Sequence, residues 1–207
     1  MTSHPRDFDQ ELIKTISKLD KVCPHFHLPL QSGSNKILQK MNRGYTREHY
    51  KELVKEIRRL IPQASITTDI IVGFPGETEE DFQDTLNLVQ ELHFDSAFTF
   101  IYSPRSGTPA AKMSAQIPLT VKKRRLQKLM QLQNKISLEI NQNLKGQAVE
   151  VLVEGFSKKD CSILEGRTKT NKTVLFTGSE ELIGKFVGVK ITVPQTWVLK
   201  GEIIEKR

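Results

Sequence analysis

Along the first part of the chain, apolar positions switch between helical and extended spacing. Leu12, Ile13, Ile16 and Leu19 recur as one face of a helix within residues 8–19. His25-Phe26-His27-Leu28 then reads as a short strand stopped at Pro29. Residues 35–41 form a short helix. Thr46 is placed to cap a longer one, with the stripe Tyr50, Leu53, Val54, Ile57, Leu60 and Ile61, ended by Pro62. Residues 66–72 read as a second strand, apolar and β-branched in its later half, as expected when both faces are buried. Thr78-Glu79-Glu80-Asp81 resembles a capping box opening a helix through Leu92, and residues 97–102 form a third strand. This β-α-β-α-β rhythm predicts parallel strands joined by helical crossovers.

A long polar helix is predicted over residues 118–143, with Leu119, Leu126, Leu129, Leu132, Ile136 and Ile140 as its apolar stripe and Lys122-Lys123-Arg124-Arg125 near its start. After Gly146 the period shortens. Residues 148–154, 163–167, 173–176, 186–191 and 198–204 read as five short strands, the signature of a small barrel or sandwich. The pattern divides the chain into an α/β domain over 1–143 and an all-β domain over 144–207.

Charge sharpens this division. Residues 1–117 hold 14 Lys and Arg against 15 Asp and Glu, a net of −1, whereas residues 118–207 hold 17 against 9, a net of +8. All of the excess positive charge therefore sits in the C-terminal part, the long helix included, which points to a polyanionic partner there, nucleic acid first. No apolar run approaches a membrane span, and the start lacks the apolar core of a signal peptide. The two cysteines, Cys23 and Cys161, are too far apart for a disulfide framework, so a cytoplasmic setting is expected.

Candidate chemistry gathers at strand ends. Asp69-Ile70-Ile71-Val72-Gly73-Phe74-Pro75-Gly76-Glu77-Thr78 joins the second strand to a helix N-terminus through glycines, at the edge where parallel sheets bind ligands. Taken alone, this is equally a tight βα turn. His27-Leu28-Pro29-Leu30-Gln31-Ser32-Gly33-Ser34 follows the first strand, Tyr102-Ser103-Pro104-Arg105-Ser106-Gly107-Thr108-Pro109-Ala110 follows the third, and Thr2-Ser3-His4-Pro5 opens the chain.

In order and spacing, these four segments resemble the radical-SAM methylthiotransferase family. The segment from Ala97 to Arg105 favours the branch acting on isopentenylated adenosine beside the tRNA anticodon. The resemblance implies the second half of a partial TIM-type barrel followed by a TRAM domain, with S-adenosylmethionine (SAM) and 4Fe–4S clusters as cofactors and tRNA as partner. It also implies a missing N-terminal half, because the family's Cys-x-x-x-Cys-x-x-Cys is not in this sequence and a cluster needs neighbouring thiolates. Met1 falls where the family's sequence continues upstream, so a truncated or split reading frame is expected. The chain alone is expected to carry no catalytic residue and to be inactive; the alternative is a tRNA-binding module that catalyses nothing.

The resemblance places Ser3, His4, Gln31, Ser32, Asp69, Ile71, Val72 and Gly73 around SAM. Gln31 and Ser32 face its ribose or methionyl group, or else cap a turn. Ile71, Val72 and Gly73 line the adenine, or else are ordinary core. Asp69 needs a partner inside an apolar strand, and Arg105 is one; Arg105 alternatively faces RNA. In the β-domain, Arg167, Lys169, Asn171, Lys172, Lys185, Trp197 and Lys200 are the expected RNA contacts, cations for phosphates and an aromatic for stacking. Phe176 is expected in the core. Cys23 is expected to be a small buried hydrophobe, with Cys161 in a loop or strand.

Overall fold

The computed structural model describes residues 3–204, so the expectation for Thr2 lies outside the described residues. The chain falls into two compact units, the first holding Phe26–Ile136 with the segment up to Val22, the second holding Ser137 onward with Cys23–His25.

In the first unit, three strands form one sheet in the order β1 (His25–His27), β2 (Ser65–Val72), β3 (Ser96–Ile101). β2 and β3 run parallel from Thr67↔Ser96 to Val72↔Ile101, and Gln31 makes a parallel bridge to Ile70 just beyond β1. Helices α1 (Gln10–Ile16), α2 (Asn35–Lys40), α3 (Arg47–Leu60), α4 (Glu79–Leu92) and α5 (Leu119–Gln142) occupy the predicted stretches. The caps read from sequence are made: Thr46 accepts from His49 N–H, and the Thr78–Asp81 capping box is complete in both directions. Tyr50, Ile57, Ile66, Ile70, Phe82, Leu88 and Phe94 form the buried interior between sheet and helices.

Two expectations change. β2 is not closed on both faces: Ile66, Thr68, Ile70 and Val72 are buried, while Thr67, Asp69 and Ile71 on the other face are only partly covered. The buried stripe of α5 is Lys122, Arg125, Leu129, Gln133 and Ile136, and Leu119 is exposed. That face mixes apolar Leu129 and Ile136 with polar side chains that meet a carboxylate and carbonyls. Arg125 reaches Glu77, Lys122 donates to the Tyr102 carbonyl, and Gln133 donates to that of Phe94.

The second unit is a closed barrel of β4 (Ala148–Ser157), β5 (Asp160–Thr168), β6 (Thr173–Thr177), β7 (Phe186–Pro194) and β8 (Leu199–Ile203), in the order β4-β5-β6-β8-β7. Alternate residues fill it: Val151, Val153, Leu164, Val174, Phe176, Val189, Ile191 and Leu199 are the core, so Phe176 is internal as expected. Closure removes the unpaired edges that a five-stranded open sheet would present.

Candidate functional site

The end of β1 is clamped by hydroxyls. Tyr50 donates to the Leu28 carbonyl at 2.7 Å, Thr68 donates to the same carbonyl at 2.8 Å, and the Leu30 N–H donates to Thr68 Oγ1 at 2.8 Å. Tyr45 donates to the Pro29 and Leu30 carbonyls. Burial pushes the Tyr45 hydroxyl up to about 12, and Tyr50 is raised further for the same reason, so both stay protonated donors. The clamp over-determines the next residue. Gln31 is buried at φ 69°, a conformation costly for a side-chain-bearing residue, with its N–H on the Asp69 carbonyl and its carbonyl on the Ile71 N–H.

The partly covered face of the sheet carries His27, Thr67, Asp69, Ile71, Phe98 and Phe100, since Asp69 pairs in register with Phe98 and Ile71 with Phe100. It opens at the carboxyl ends of the strands on a cavity of about 760 Å³, whose walls include Gln31, Asp69, Ile71, Phe100, Tyr102 and the basic Lys40, Arg43 and Arg105. This is the size range of a small-molecule site. Phe98 and Phe100 are exposed large apolar groups on β3, an edge strand of this sheet.

The glycine turn after β2 is locked to α5. Glu77 accepts from the Gly73 N–H at 2.9 Å and from Arg125 Nη1 at 2.7 Å, with both charged side chains almost fully buried, at 2% and 5% exposure. Burial pushes the Glu77 carboxyl up, and the Gly73 N–H and the Arg125 guanidinium oppose it. Arg125 also pairs with Glu79 at 3.2 Å and lies over the Phe82 ring. Lys122 donates to the Tyr102 carbonyl at 3.0 Å and sits over that ring, and burial lowers its pKa. Gly73 has φ +73°, and a Cβ there would overlap the Lys122 stem. The glycine is thus needed for a lysine packed on the turn, a demand independent of any ligand.

Of the residues expected around SAM, the fold brings Gln31, Asp69 and Ile71 to the cavity wall, together with Arg105. Ser32 and Val72 point into the structure instead. The Ser32 hydroxyl lies 3.5 Å from that of Thr85 and accepts from the Ser34 N–H, and Val72 is fully buried on the helix side. Ser3 donates its N–H to the His27 carbonyl, and His4 caps a 3-10 turn (Pro5–Asp7) and meets the Tyr45 ring edge-on; neither lines the cavity. The side-chain partner of Asp69 is His27, at 3.4 Å, in place of Arg105. His27 was therefore the missed neighbour of Asp69; its place on the sheet face beside that residue follows only from strand register.

In the barrel, Arg167, Lys169, Asn171 and Lys172 do gather, at the hairpin between β5 and β6. Asn171 turns it at φ 62°, and its side chain accepts from Arg167. These cations are not bare: Arg167 pairs with Glu154 at 3.3 Å and Lys169 with Glu150 at 2.9 Å, both glutamates lying on the neighbouring β4. Trp197 is 73% exposed in the turn between β7 and β8, while Lys185 and Lys200 are exposed elsewhere on the barrel. Register adds an aromatic that the sequence reading did not single out. Phe186, 60% exposed, pairs with Leu152, which pairs with Arg167, so an aromatic and a guanidinium flank one apolar residue on adjacent strands.

The cofactor groups fare differently. An iron–sulfur cluster does not fit: both cysteines are free and exposed, Cys23 contrary to expectation and Cys161 within β5, and among the described residues no cluster of three or more His, Cys, Asp or Glu could hold a metal. A polar small molecule such as SAM does fit the cavity. Its wall sets the Asp69 carboxylate and the cations Lys40, Arg43 and Arg105 beside the apolar Ile71 and Phe100.

Comparison with known proteins agrees with this division. The Radical SAM superfamily model matches residues 1–89, and the TRAM domain model matches residues 142–204. The chain is 62% identical over 205 residues to the tRNA-2-methylthio-N(6)-dimethylallyladenosine synthase of Moorella thermoacetica, covering 99% of this chain and 46% of that protein. It is 60% identical to the synthase of the same name from Natranaerobius thermophilus, over 99% of this chain and 46% of that one. The chain thus spans about half the length of the curated relatives it matches. Among solved structures, coproporphyrinogen III oxidase from Escherichia coli, a radical SAM enzyme, superposes with a TM-score of 0.55 at 18% identity, covering 80% of this chain and 45% of that one, a likeness of fold alone. Fold and site define a radical-SAM partial barrel with three parallel strands, carried on one polypeptide with a TRAM domain. The chain carries a Radical SAM segment and a TRAM domain, and over 99% of its length it is similar to tRNA methylthiotransferases.

Proposed function

We propose that this chain is the SAM- and tRNA-facing portion of an enzyme that methylthiolates C2 of N6-isopentenyladenosine next to the anticodon, and that it acts in the cytoplasm. The cluster ligands would come from sequence outside these 207 residues. The single observation that carries the reading is the strand-end cavity walled by Gln31, Asp69, Ile71 and the basic Arg43 and Arg105, in a chain aligned over 99% of its length with such synthases. The three strands are read as the fourth to sixth of a TIM-type barrel within residues 1–143, and residues 144–207 as an OB-like TRAM module.

Bound SAM would supply the source of a hydrogen-abstracting radical and a methyl donor. The chain's own residues would hold it. The Gln31 backbone sets the strand end, Asp69 offers a carboxylate to ligand donors, Ile71 and Phe100 give apolar cover, and Arg43 and Arg105 offer cations. The Arg167–Lys172 hairpin and Trp197 would engage RNA phosphates and an unstacked base. Calorimetric titration with SAM and filter binding of tRNA over a salt series test both halves. The expected result is saturable SAM binding together with tRNA affinity that falls steeply with salt. A flat salt response would refute RNA binding through this surface. The non-catalytic module is favoured by the lack of a cluster-binding set; it would be supported if adding a polypeptide bearing the Cys-x-x-x-Cys-x-x-Cys segment restored no methylthiolation.

A further inference from the structure

Asp69 is the one carboxylate among the residues lining the cavity, set against Lys40, Arg43 and Arg105. It is the natural acceptor for a ligand's hydroxyl pair or ammonium, and what orients it decides how well that contact is made. His27, which does not line the cavity, contacts this carboxylate. Its Nδ1 is 3.0 Å from Thr67 Oγ1 and its Nε2 is 3.4 Å from Asp69 Oδ1. The edge of Phe98 packs on the imidazole, with ring centroids 5.9 Å apart and planes at 72°. The Ser3 N–H holds the His27 carbonyl at 3.2 Å. With polar contacts at both nitrogens and an aromatic ring against it, the imidazole has little freedom to turn.

The proton assignment follows from donor chemistry. An ionised carboxylate only accepts, so of the two neutral forms of His27 only the one with hydrogen on Nε2 can donate towards Asp69, and Nδ1 is then able to accept from the Thr67 hydroxyl. At 3.4 Å the two groups are in ion-pair contact, longer than an ordinary hydrogen bond. We infer that His27 is a positioning residue: anchored by Thr67, it aims the Asp69 carboxylate into the cavity and thereby sets affinity for the ligand's donor groups. The identity of that ligand rests on the SAM reading above; the link between His27 and Asp69 does not.

Two measurements on the full chain separate these dependences. Long-range ¹H–¹⁵N NMR of the histidine side chains should find the His27 hydrogen on Nε2, and Thr67→Val or Asp69→Asn should erode that preference. Titration with SAM should show His27→Phe weakening affinity about tenfold, the scale of one lost hydrogen bond to a charged group, with the thermal unfolding profile kept. His27→Gln, which retains a donor, should stay within about threefold of wild type. If the wild-type chain binds SAM and His27→Phe binds it equally well, or if the hydrogen sits on Nδ1, the inference is overturned. If the wild-type chain binds no SAM while the Nε2–H form is present, the cofactor reading fails and the pairing stands. Should His27→Phe not fold, Thr67→Val carries both measurements.

Discussion

Replacing Arg125 by Met tests the lock between the glycine turn and α5. The long apolar stem is retained, so packing near Phe82 largely survives, while the guanidinium is lost. Glu77, at 2% exposure, then keeps one hydrogen-bond donor, the Gly73 N–H, and loses the cation that pairs with it directly, with only Lys122 left as a cation nearby. Stranding a buried charge by removing its partner costs about 3–5 kcal/mol. The weakened cation–π contact with Phe82, 5.6 Å from its centroid, adds on the order of 1 kcal/mol. The loss should depend on pH, with a fixed sign. Burial already raises the Glu77 carboxyl, and without Arg125 it rises further. A carboxyl raised on folding favours the native state fully below its unfolded pKa, and that contribution disappears as pH rises through the folded value. The variant should therefore lose most of the full amount near about pH 8 and much less near about pH 5, where Glu77 takes up a proton. Urea unfolding followed by far-ultraviolet circular dichroism reads this, since the helical signal comes from α1–α5. Glu77→Gln combined with Arg125→Met should recover much of the stability, because neither charge then remains buried. A loss below about 1 kcal/mol, or one equal at both pH values, would refute a buried ion pair as what holds the turn.

Other outcomes follow from neighbouring contacts. Burial pushes Asp81 up, but the Thr78 N–H, the Ser34 hydroxyl and Lys36 outweigh it and bring the carboxyl to about 2. Such a lowered group stabilises above its unfolded pKa and loses that contribution as pH falls towards 2, so Asp81→Asn should cost about 2 kcal/mol near neutrality and almost nothing at about pH 2, read by thermal unfolding. Because Glu150 and Glu154 occupy Lys169 and Arg167, the double change Glu150→Gln, Glu154→Gln should tighten tRNA binding severalfold and steepen its salt dependence, read by filter binding; weaker binding would show that these cations do not meet phosphate. A fragment of residues 1–117 lacks Lys122 and Arg125 while exposing Phe98 and Phe100 on an edge strand, and should aggregate; a soluble monomer with a cooperative melt would oppose this.

The period of apolar residues was enough to locate the five α-helices and eight strands of the described residues, though not the three short 3-10 turns, because helix and strand patterns depend on neighbours a few positions away. The Thr46 and Thr78 caps were legible for the same reason, and the spacing of the strand-end segments carried the family resemblance. The partners of charged groups were not legible. Lys122 and Arg125 look like a solvated basic run in sequence, yet they are the buried face of α5, because Glu77 and the Tyr102 carbonyl meet them there. Asp69 found His27 in place of Arg105 because register between β1 and β2 is a property of the assembled sheet. Gly73 reads as a ligand turn, and only the packed Lys122 stem shows its other reason. Arg167 and Lys169 read as free cations until pairing of β4 with β5 set glutamates beside them. Local spacing determines which elements form; which charges are neutralised, and which face a cavity, depends on residues far apart in the chain and is decided when the elements pack.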